Sequence, residues 1–248
     1  DGYDDLVVGD PYHNSQDGGI FVFYGHSYGL DSSPNVSISP SIDSFHFGTS
    51  VSAAGDIDGD GYADLLVGCP GDNDYCAESP QIRIHRGGDL GLEPAYAWSI
   101  EAEEDMYSFG YRAICGGDVN GDGYADVVVR TGIENDEGDQ SSRVMLYLGG
   151  YSGLAAEPIW SVDSAVDEFF HGVNSVGDVN GDGFCDLAIG DIHADVERGR
   201  IEVFPGGSEG PRGEAGWVVE SNQAGCRFGT SVATAGDVNG DGFDDVLV

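Results

Sequence analysis

A short acidic segment that could bind a metal ion recurs in the 248-residue chain, once about every sixty residues. Each copy carries Asp or Asn at positions one, three, five and nine, and Gly at positions four and six. The complete copies are residues 56–64, 118–126, 178–186 and 237–245. Oxygen side chains at alternate positions, with glycine at the bend, suit a hard cation. The spacing predicts calcium rather than magnesium, which prefers octahedral geometry with several retained waters.

The predicted ligands are the side-chain oxygens of positions one, three, five and nine and the carbonyl of position seven, where two copies have Phe. They are Asp56, Asp58, Asp60, Tyr62 and Asp64; Asp118, Asn120, Asp122, Tyr124 and Asp126; Asp178, Asn180, Asp182, Phe184 and Asp186; and Asp237, Asn239, Asp241, Phe243 and Asp245. A truncated copy offers a half-site from Asp1, Tyr3 and Asp5. An acidic turn held by Asx hydrogen bonds would explain one copy, but four near-identical copies favour four calcium ions, with a fifth, incomplete site.

The elements around these loops are predicted to be strands. An EF-hand would need Glu at position twelve and a helix on each side. Position twelve is Val or Ile here, and it ends a short β-branched run such as Leu65–Val67. Two further strand-like segments follow in every repeat, exemplified by 81–87 and 98–100, with a glycine-rich turn between them. Four short strands per repeat predict an all-β propeller built from four-stranded antiparallel blades.

These motifs resemble the FG-GAP repeat of integrin α-chain β-propellers. The resemblance rests on Phe47-Gly48, on the loop 56–64 and on Gly68-Cys69-Pro70, which recur along the whole chain. Three places depart from it: Phe169-Phe170 replaces the opening Phe-Gly, and Val129-Arg130-Thr131 and Gly190-Asp191-Ile192 replace the closing tripeptide. The resemblance implies calcium ligands at positions one, three, five, seven and nine of all four loops.

We expect one propeller domain over residues 1–248, with about four blades' worth of chain. The predicted blade parts are 1–46, 47–108, 109–168, 169–227 and 228–248. Propellers of the family that the chain resembles usually have seven blades, so we expect the chain to form part of a longer propeller. A closed ring of four blades is the alternative.

Charge and cysteine content restrict the partners and the environment. The formal net charge is −36, with 45 acidic residues, nine Arg or Lys and no apolar run long enough for a membrane span. This charge argues against nucleic acid and anionic membranes as partners, because both need a basic surface. Cys69 and Cys76 flank a short loop that a disulfide could close, whereas Cys115, Cys185 and Cys226 are interpreted as small core residues.

The sequence predicts no enzyme. Gly-x-Ser-x-Gly occurs at 25–29 and 206–210, but both copies lie in the turn between the third and fourth strands. A nucleophile elbow needs a strand-to-helix turn instead. The six histidines show no metal-ligand spacing, and the tryptophans at 98, 160 and 217 recur in register, which predicts core packing.

The leading hypothesis is a secreted or cell-surface, calcium-binding module for cell adhesion or for protein or other ligand binding. The loops between second and third strands (11–18, 70–80, 130–142 and 191–199) differ most between repeats and emerge opposite the calcium loops. The candidates for contact with a protein or glycan ligand are Tyr12, His13, Asp74, Tyr75, Tyr107 and His193, together with Phe45 and Glu134. The alternatives are a carbohydrate-binding lectin propeller and the propeller domain of a polysaccharide-degrading enzyme.

Overall fold

The computed structural model describes residues 2–40, 46–71, 79–134, 140–164 and 170–248. The described residues form antiparallel sheets with two single-turn helices, α1 (His13–Gln16) and α2 (Ala194–Glu197). The prediction of an all-β chain with four-stranded antiparallel sheets is confirmed.

Consecutive strands pair in each sheet, so the sheets follow one another along the chain. The first sheet contains β1 (Leu6–Asp10), β2 (Gly19–Phe23) and, after the hairpin β3 (Gly25–His26) and β4 (Gly29–Leu30), β5 (Val36–Ile38). The second contains β6 (Ser50–Gly55), β7 (Asp64–Cys69), β8 (Gln81–His85) and β9 (Tyr96–Glu101). The third contains β10 (Met106–Gly117), β11 (Asp126–Glu134), β12 (Gln140–Tyr147) and β13 (Trp160–Asp163). The fourth contains β14 (Phe170–Gly177), β15 (Asp186–Asp191), β16 (Arg200–Phe204) and β17 (Trp217–Glu220), and the fifth contains β18 (Ala233–Gly236) and β19 (Asp245–Leu247).

The core lies between successive sheets. Strand β7 is buried along its whole length, which fits its uninterrupted apolar sequence. One cluster joins the second and third sheets through Leu66, Ile82, Phe109 and Val127, among others. The second, third and fourth sheets therefore each pack against a neighbouring sheet on both faces, as the blades of a propeller do.

The glycines of the repeat motif face each other across these junctions. A Cβ atom on Gly68 would overlap the carbonyl oxygen of Gly110 in the next sheet. The same overlap would occur between Gly9 and Gly48, and between Gly190 and Gly229. The closing glycine of one repeat and the opening glycine of the next are therefore required by a single close backbone approach.

The first two departures from the repeat motif fall at the same junction. Arg130 occupies the position of Gly68 in its repeat, and Phe170 occupies the position of Gly110 in the following one. There the Arg112 side chain donates a hydrogen bond to the Val173 carbonyl across the junction, at 3.3 Å. At this junction, both members of the glycine pair seen at the other junctions are therefore replaced.

Three expectations need correction. Much of the predicted 130–142 loop is strand, because β11 continues to Glu134 and β12 begins at Gln140. Strand β10 likewise begins at Met106, before the predicted start of the blade part 109–168. Trp98 packs against a core cluster, but Trp217 is 50% exposed and is not a core residue. The Trp98 ring lies on Gly153 in the turn of the next sheet, a contact that β17 lacks among the described residues.

We predict that Gly68→Ala lowers the free energy of unfolding by about 1–3 kcal/mol, because its Cβ would be forced into the Gly110 carbonyl. Urea unfolding measures the change. Gly213→Ala is the matched control, since nothing lies within 4 Å of a Cβ at that position. If both variants have the stability of the unsubstituted chain, the close approach does not constrain the junction.

Candidate metal centre

The carboxylate at position one of each loop holds the loop's backbone in place. Asp56 Oδ1 accepts hydrogen bonds from the backbone N–H groups of Gly59 and Asp60 at 2.8 and 3.0 Å, and its Oδ2 accepts one from Gly61 at 2.9 Å. Asp178 and Asp237 accept the same three bonds in their own loops. The glycines at positions four and six have φ near +75° and +92°, a conformation that other residues rarely adopt.

The carboxylate at position nine joins the loop to a second turn. Asp64 Oδ2 accepts from the N–H of Ile57 at 3.0 Å, and its Oδ1 accepts from Gly87, in the turn between β8 and β9, at 3.1 Å. Asp126 and Asp186 make the equivalent bonds at 2.8 to 3.0 Å. In the truncated copy, Asp5 accepts from Gly25 in the same way, at 2.9 Å.

Burial makes these ninth-position carboxyls hard to ionise. Asp64 is 2% exposed, and Asp126 and Asp186 are 0% exposed. Burial raises the pKa of Asp64 to about 6 and the pKa of Asp126 to about 7, and it also raises the pKa of Asp186. Two backbone hydrogen bonds act in the opposite direction in each case, but with smaller effect. A bound cation would favour the charged form of each group.

The donor set fits an oxygen-seeking cation. Asp56, Asp58 and Asp64 each offer a carboxylate oxygen, and these oxygens lie within 4.8 Å of one another. The other three loops have Asn at position three, whose amide oxygen accepts from the N–H of position five at 2.9 to 3.0 Å. All the predicted side-chain ligands present oxygen, and oxygen ligands are the ones that calcium takes.

Successive loops are bonded to each other through their backbones. The Asp56 carbonyl accepts from the N–H of Ala125 in the next loop at 2.9 Å. The Ile57 carbonyl accepts from the N–H of Gly150, in the turn between β12 and β13 of the next sheet, at 2.9 Å. The third loop is joined to the second in the same way, and the fourth donates from Asp244 to the Asp178 carbonyl at 3.0 Å. The four loops therefore form one continuous chain of contacts across the sheets.

The aromatic ring at position seven also contributes to this contact. A Cβ on Gly59 would lie 2.6 Å from the Tyr124 ring, so the ring of one loop rests on the glycine of the preceding loop. Phe184 and Phe243 rest in the same way on Gly121 and Gly181. Sequence reasoning assigned position seven a carbonyl ligand and missed this packing role. The signal was present, because every copy has an aromatic residue at position seven and Gly at position four.

The described residues that were predicted to contact a ligand are spread over the first, third and fourth sheets. Tyr12 is 69% exposed, and its ring meets His46 edge-on at 5.3 Å, while His13 lies 3.6 Å from the Asp10 carboxylate. The Tyr107 ring packs over Gly132 in the third sheet. His193 begins a turn in the fourth sheet, where its N–H bonds to Asp191 at 3.1 Å. Asp1, Phe45, Asp74, Tyr75 and Cys76 lie outside the described residues.

Two of the loops between second and third strands share one design, although they were expected to differ. Asp10 accepts a hydrogen bond from Tyr12 N–H just as Asp191 does from His193, and a one-turn helix follows in both loops. Asn14 and Asp195 occupy matching positions with φ of 49° and 45°.

A groove of about 1000 Å³ separates the first and second sheets near the calcium-loop end. Tyr3, Tyr24 and Tyr62 line it together with Asp89 and Leu90. The groove thus combines aromatic rings with an acidic group, on the side away from the loops that were predicted to bind a ligand.

Comparisons with known proteins agree with the repeat. Residues 47–79, 110–145 and 228–248 match the FG-GAP repeat. The chain is 28% identical over 219 residues to integrin alpha-5 of Xenopus laevis, an alignment that covers 84% of this chain and 20% of that protein. It is 29% identical over 219 residues to integrin alpha-PS2 of Drosophila melanogaster, covering 78% and 14%. It is 35% identical over 135 residues to integrin alpha-7 of Mus musculus, covering 52% and 11%.

The chain thus spans about a fifth or less of the length of these relatives. Within the described ranges, no helix has the length and apolar character needed to cross a bilayer.

We predict that the calcium-free protein loses stability as the pH rises from about 5 to about 7.5. The folded-state pKa values of Asp64 and Asp126, about 6 and about 7, lie above the ordinary value of 3.8. The folded chain therefore holds protons that the unfolded chain releases, and this contribution to stability disappears as the pH passes the folded pKa.

Thermal melts of calcium-free protein at several pH values test this. Asp126→Asn is the comparison variant, and its melting temperature should vary less with pH. At neutral pH its free energy of unfolding should differ from that of the parent chain by about 1–3 kcal/mol. Parallel pH profiles for the two proteins would contradict the role of Asp126.

Proposed function

Because the chain is an integrin-like FG-GAP propeller, we propose that it acts outside the cell as a calcium-binding module for adhesion or ligand binding. The observation that carries the proposal is the repetition of one oxygen-lined loop whose backbone is bonded to the next loop. The resemblance to integrin α-chains supports an adhesive rather than an enzymatic role and an extracellular location.

In this proposal the cation is structural. The side-chain oxygens of positions one, three, five and nine and the carbonyl of position seven hold calcium in each loop, which neutralises carboxylates that otherwise repel one another. The carboxylate at position nine fixes the turn between third and fourth strands. The backbone carbonyl of position one accepts from the next loop, and that of position two accepts from the turn between third and fourth strands of the next sheet. Binding at one loop therefore stabilises a junction between sheets as well as the loop itself.

We place the partner, a protein or a glycan, on the opposite side. The calcium loops connect first to second strands, and antiparallel pairing sends the connections between second and third strands to the other end of each sheet. Connections held on a rigid scaffold are where binding residues are commonly found. The net charge of −36 favours a partner with cationic or neutral contact groups.

Calorimetry with calcium tests the ligand assignment. Asp122→Ala removes a side-chain ligand and should bind one ion fewer per chain. Phe184→Leu keeps the carbonyl and should bind every ion, but should melt lower because the ring on Gly121 is lost. At about 1 mM calcium and a dissociation constant of ~0.1 mM, each occupied site should add about 1.4 kcal/mol. An equal loss of ions in both variants would contradict the position-seven assignment, and an unchanged melting temperature in chelator would contradict structural calcium.

The division between the two ends of the sheets has its own test. Binding would first be established against a panel of extracellular proteins and immobilised glycans. Tyr12→Ala should then weaken binding at least several-fold without lowering the melting temperature, since the side chain is 69% exposed. Tyr151→Ala is the matched control, because Tyr151 is 85% exposed but lies in a turn at the calcium-loop end. Loss of binding in the control alone would place the partner at the wrong end for this proposal.

Carbohydrate binding is the second candidate, and the groove between the first and second sheets favours it. Tyrosine rings beside carboxylates offer stacking faces and hydrogen-bond acceptors in one concave site. A glycan array with the parent chain and Tyr24→Ala distinguishes this candidate. Binding that depends on Tyr24, but not on Tyr12, would favour the groove.

A further inference from the structure

The loop 56–64 differs from the other three at position three. It has Asp58, where the others have Asn120, Asn180 and Asn239. The same repeat also differs just before the glycine-rich turn that the ninth-position aspartate contacts. Arg86 stands there, where the next two repeats have Leu148 and Pro205. An extra carboxylate and an extra guanidinium therefore occur together, in one repeat only.

The structure brings these two groups into contact. Arg86 Nη2 forms an ion pair with Asp58 Oδ2, and the Asp58 side chain is only 4% exposed. The guanidinium carbon lies 4.5 Å from the centre of the Trp98 ring, a cation–π contact that is made in addition to the ion pair. The pair is more than a solvated surface contact, because its carboxylate is buried and its guanidinium is fixed by the indole.

On Asp58, the contact with Arg86 takes the place of a hydrogen bond that Asn120 makes within its own loop. Asp58 Oδ1 accepts a hydrogen bond from Asp60 N–H at 3.3 Å, as Asn120 Oδ1 does from Asp122 N–H at 3.0 Å. The second atoms differ. Asn120 Nδ2 donates to a carboxylate of its own loop, at 2.8 Å. Asp58 Oδ2 carries no proton to donate, and it accepts from Arg86 instead.

Charge gives the same conclusion. The first loop has aspartate at positions one, three, five and nine, whereas the other loops have aspartate at three of these positions. The Arg86 guanidinium offsets the additional negative charge. Asp58 and Arg86 together are thus the electrostatic equivalent of the single asparagine in the other loops.

We propose that Arg86 is a positioning residue of the calcium loop 56–64, resting on the proposed calcium-binding function. It holds Asp58 Oδ2 away from the ion, leaves Oδ1 as the ligand oxygen, and keeps the site's charge equal to that of the other three loops. Calcium affinity at this site therefore depends on the pair and not on either residue alone.

A cycle of variants taken from the chain's own repeats tests this. Asp58→Asn leaves an unpaired guanidinium beside the cation and should weaken one calcium site roughly tenfold, because site charge tunes calcium affinity. Arg86→Leu leaves an uncompensated buried carboxylate, so the calcium-free protein should melt lower and calcium should raise its melting temperature by more than in the parent. The double variant carries the pair found in the next repeat, Asn120 with Leu148, and should return both measurements close to parental values.

Calorimetry with calcium alone and melts in metal-free buffer provide the two readouts. Arg143→Leu is the charge-matched control: it breaks the pair with Asp163, at 2.7 Å, on a sheet edge, and should leave calcium binding unchanged. If the effects of the two single substitutions simply add in the double variant while the parent binds calcium normally, the role of Arg86 is overturned and the proposed function is not. A parent chain that binds no calcium would overturn the proposed function, and the role of Arg86 with it.

Discussion

The arrangement depends on the hydrogen bonds of the buried aspartate at the ninth position of the first three loops, Asp64, Asp126 and Asp186. One of its oxygens fixes the loop through the N–H of position two, and the other fixes the turn between third and fourth strands. The same position-two residue and the same turn take part in the backbone bonds between successive sheets. Charge in the loop, shape of the blade and contact between blades are therefore coupled at one carboxylate, and this coupling explains why a cation in the loop would stabilise more than the loop.

A second constraint acts at the other end of the interface between sheets, and it is steric. The opening and closing glycines of successive repeats approach so closely that neither tolerates a Cβ. Where Arg130 replaces the closing glycine, Phe170 replaces its opposite, and Arg112 makes a side-chain contact across the junction instead. The sheets are thus held by backbone contact at most junctions and by a longer polar contact at this one. The glycines of the motif therefore indicate which positions of successive repeats contact each other.

Periodicity was sufficient to predict the strands, the all-β class and the oxygen-lined loops, because each depends on residues that are close in sequence. Contacts between repeats could not be predicted in the same way. The packing of Tyr124 on Gly59 joins two repeats, and it becomes visible only when their sheets are placed together. The pairing of Arg86 with Asp58 lies within one repeat, but it was also missed, because the two residues are far apart in sequence. Trp217 shows the opposite error, since its regular spacing predicted burial, but a neighbouring turn is needed to cover it. The length of β11 was also missed, because residues 130–134 and 140–142 are largely polar and yet belong to two strands that pair with each other.

The central claim is that calcium in one loop stabilises the junction with the next. Hydrogen exchange at the backbone amides of Ala125, Cys185 and Asp244 tests it most directly, since each donates to the position-one carbonyl of the preceding loop. The account predicts that saturating calcium slows exchange at all three amides relative to calcium-free protein under the same conditions. Exchange that slows only at amides inside each loop, such as those of Asp60 and Gly61, with the three junction amides unchanged, would contradict it.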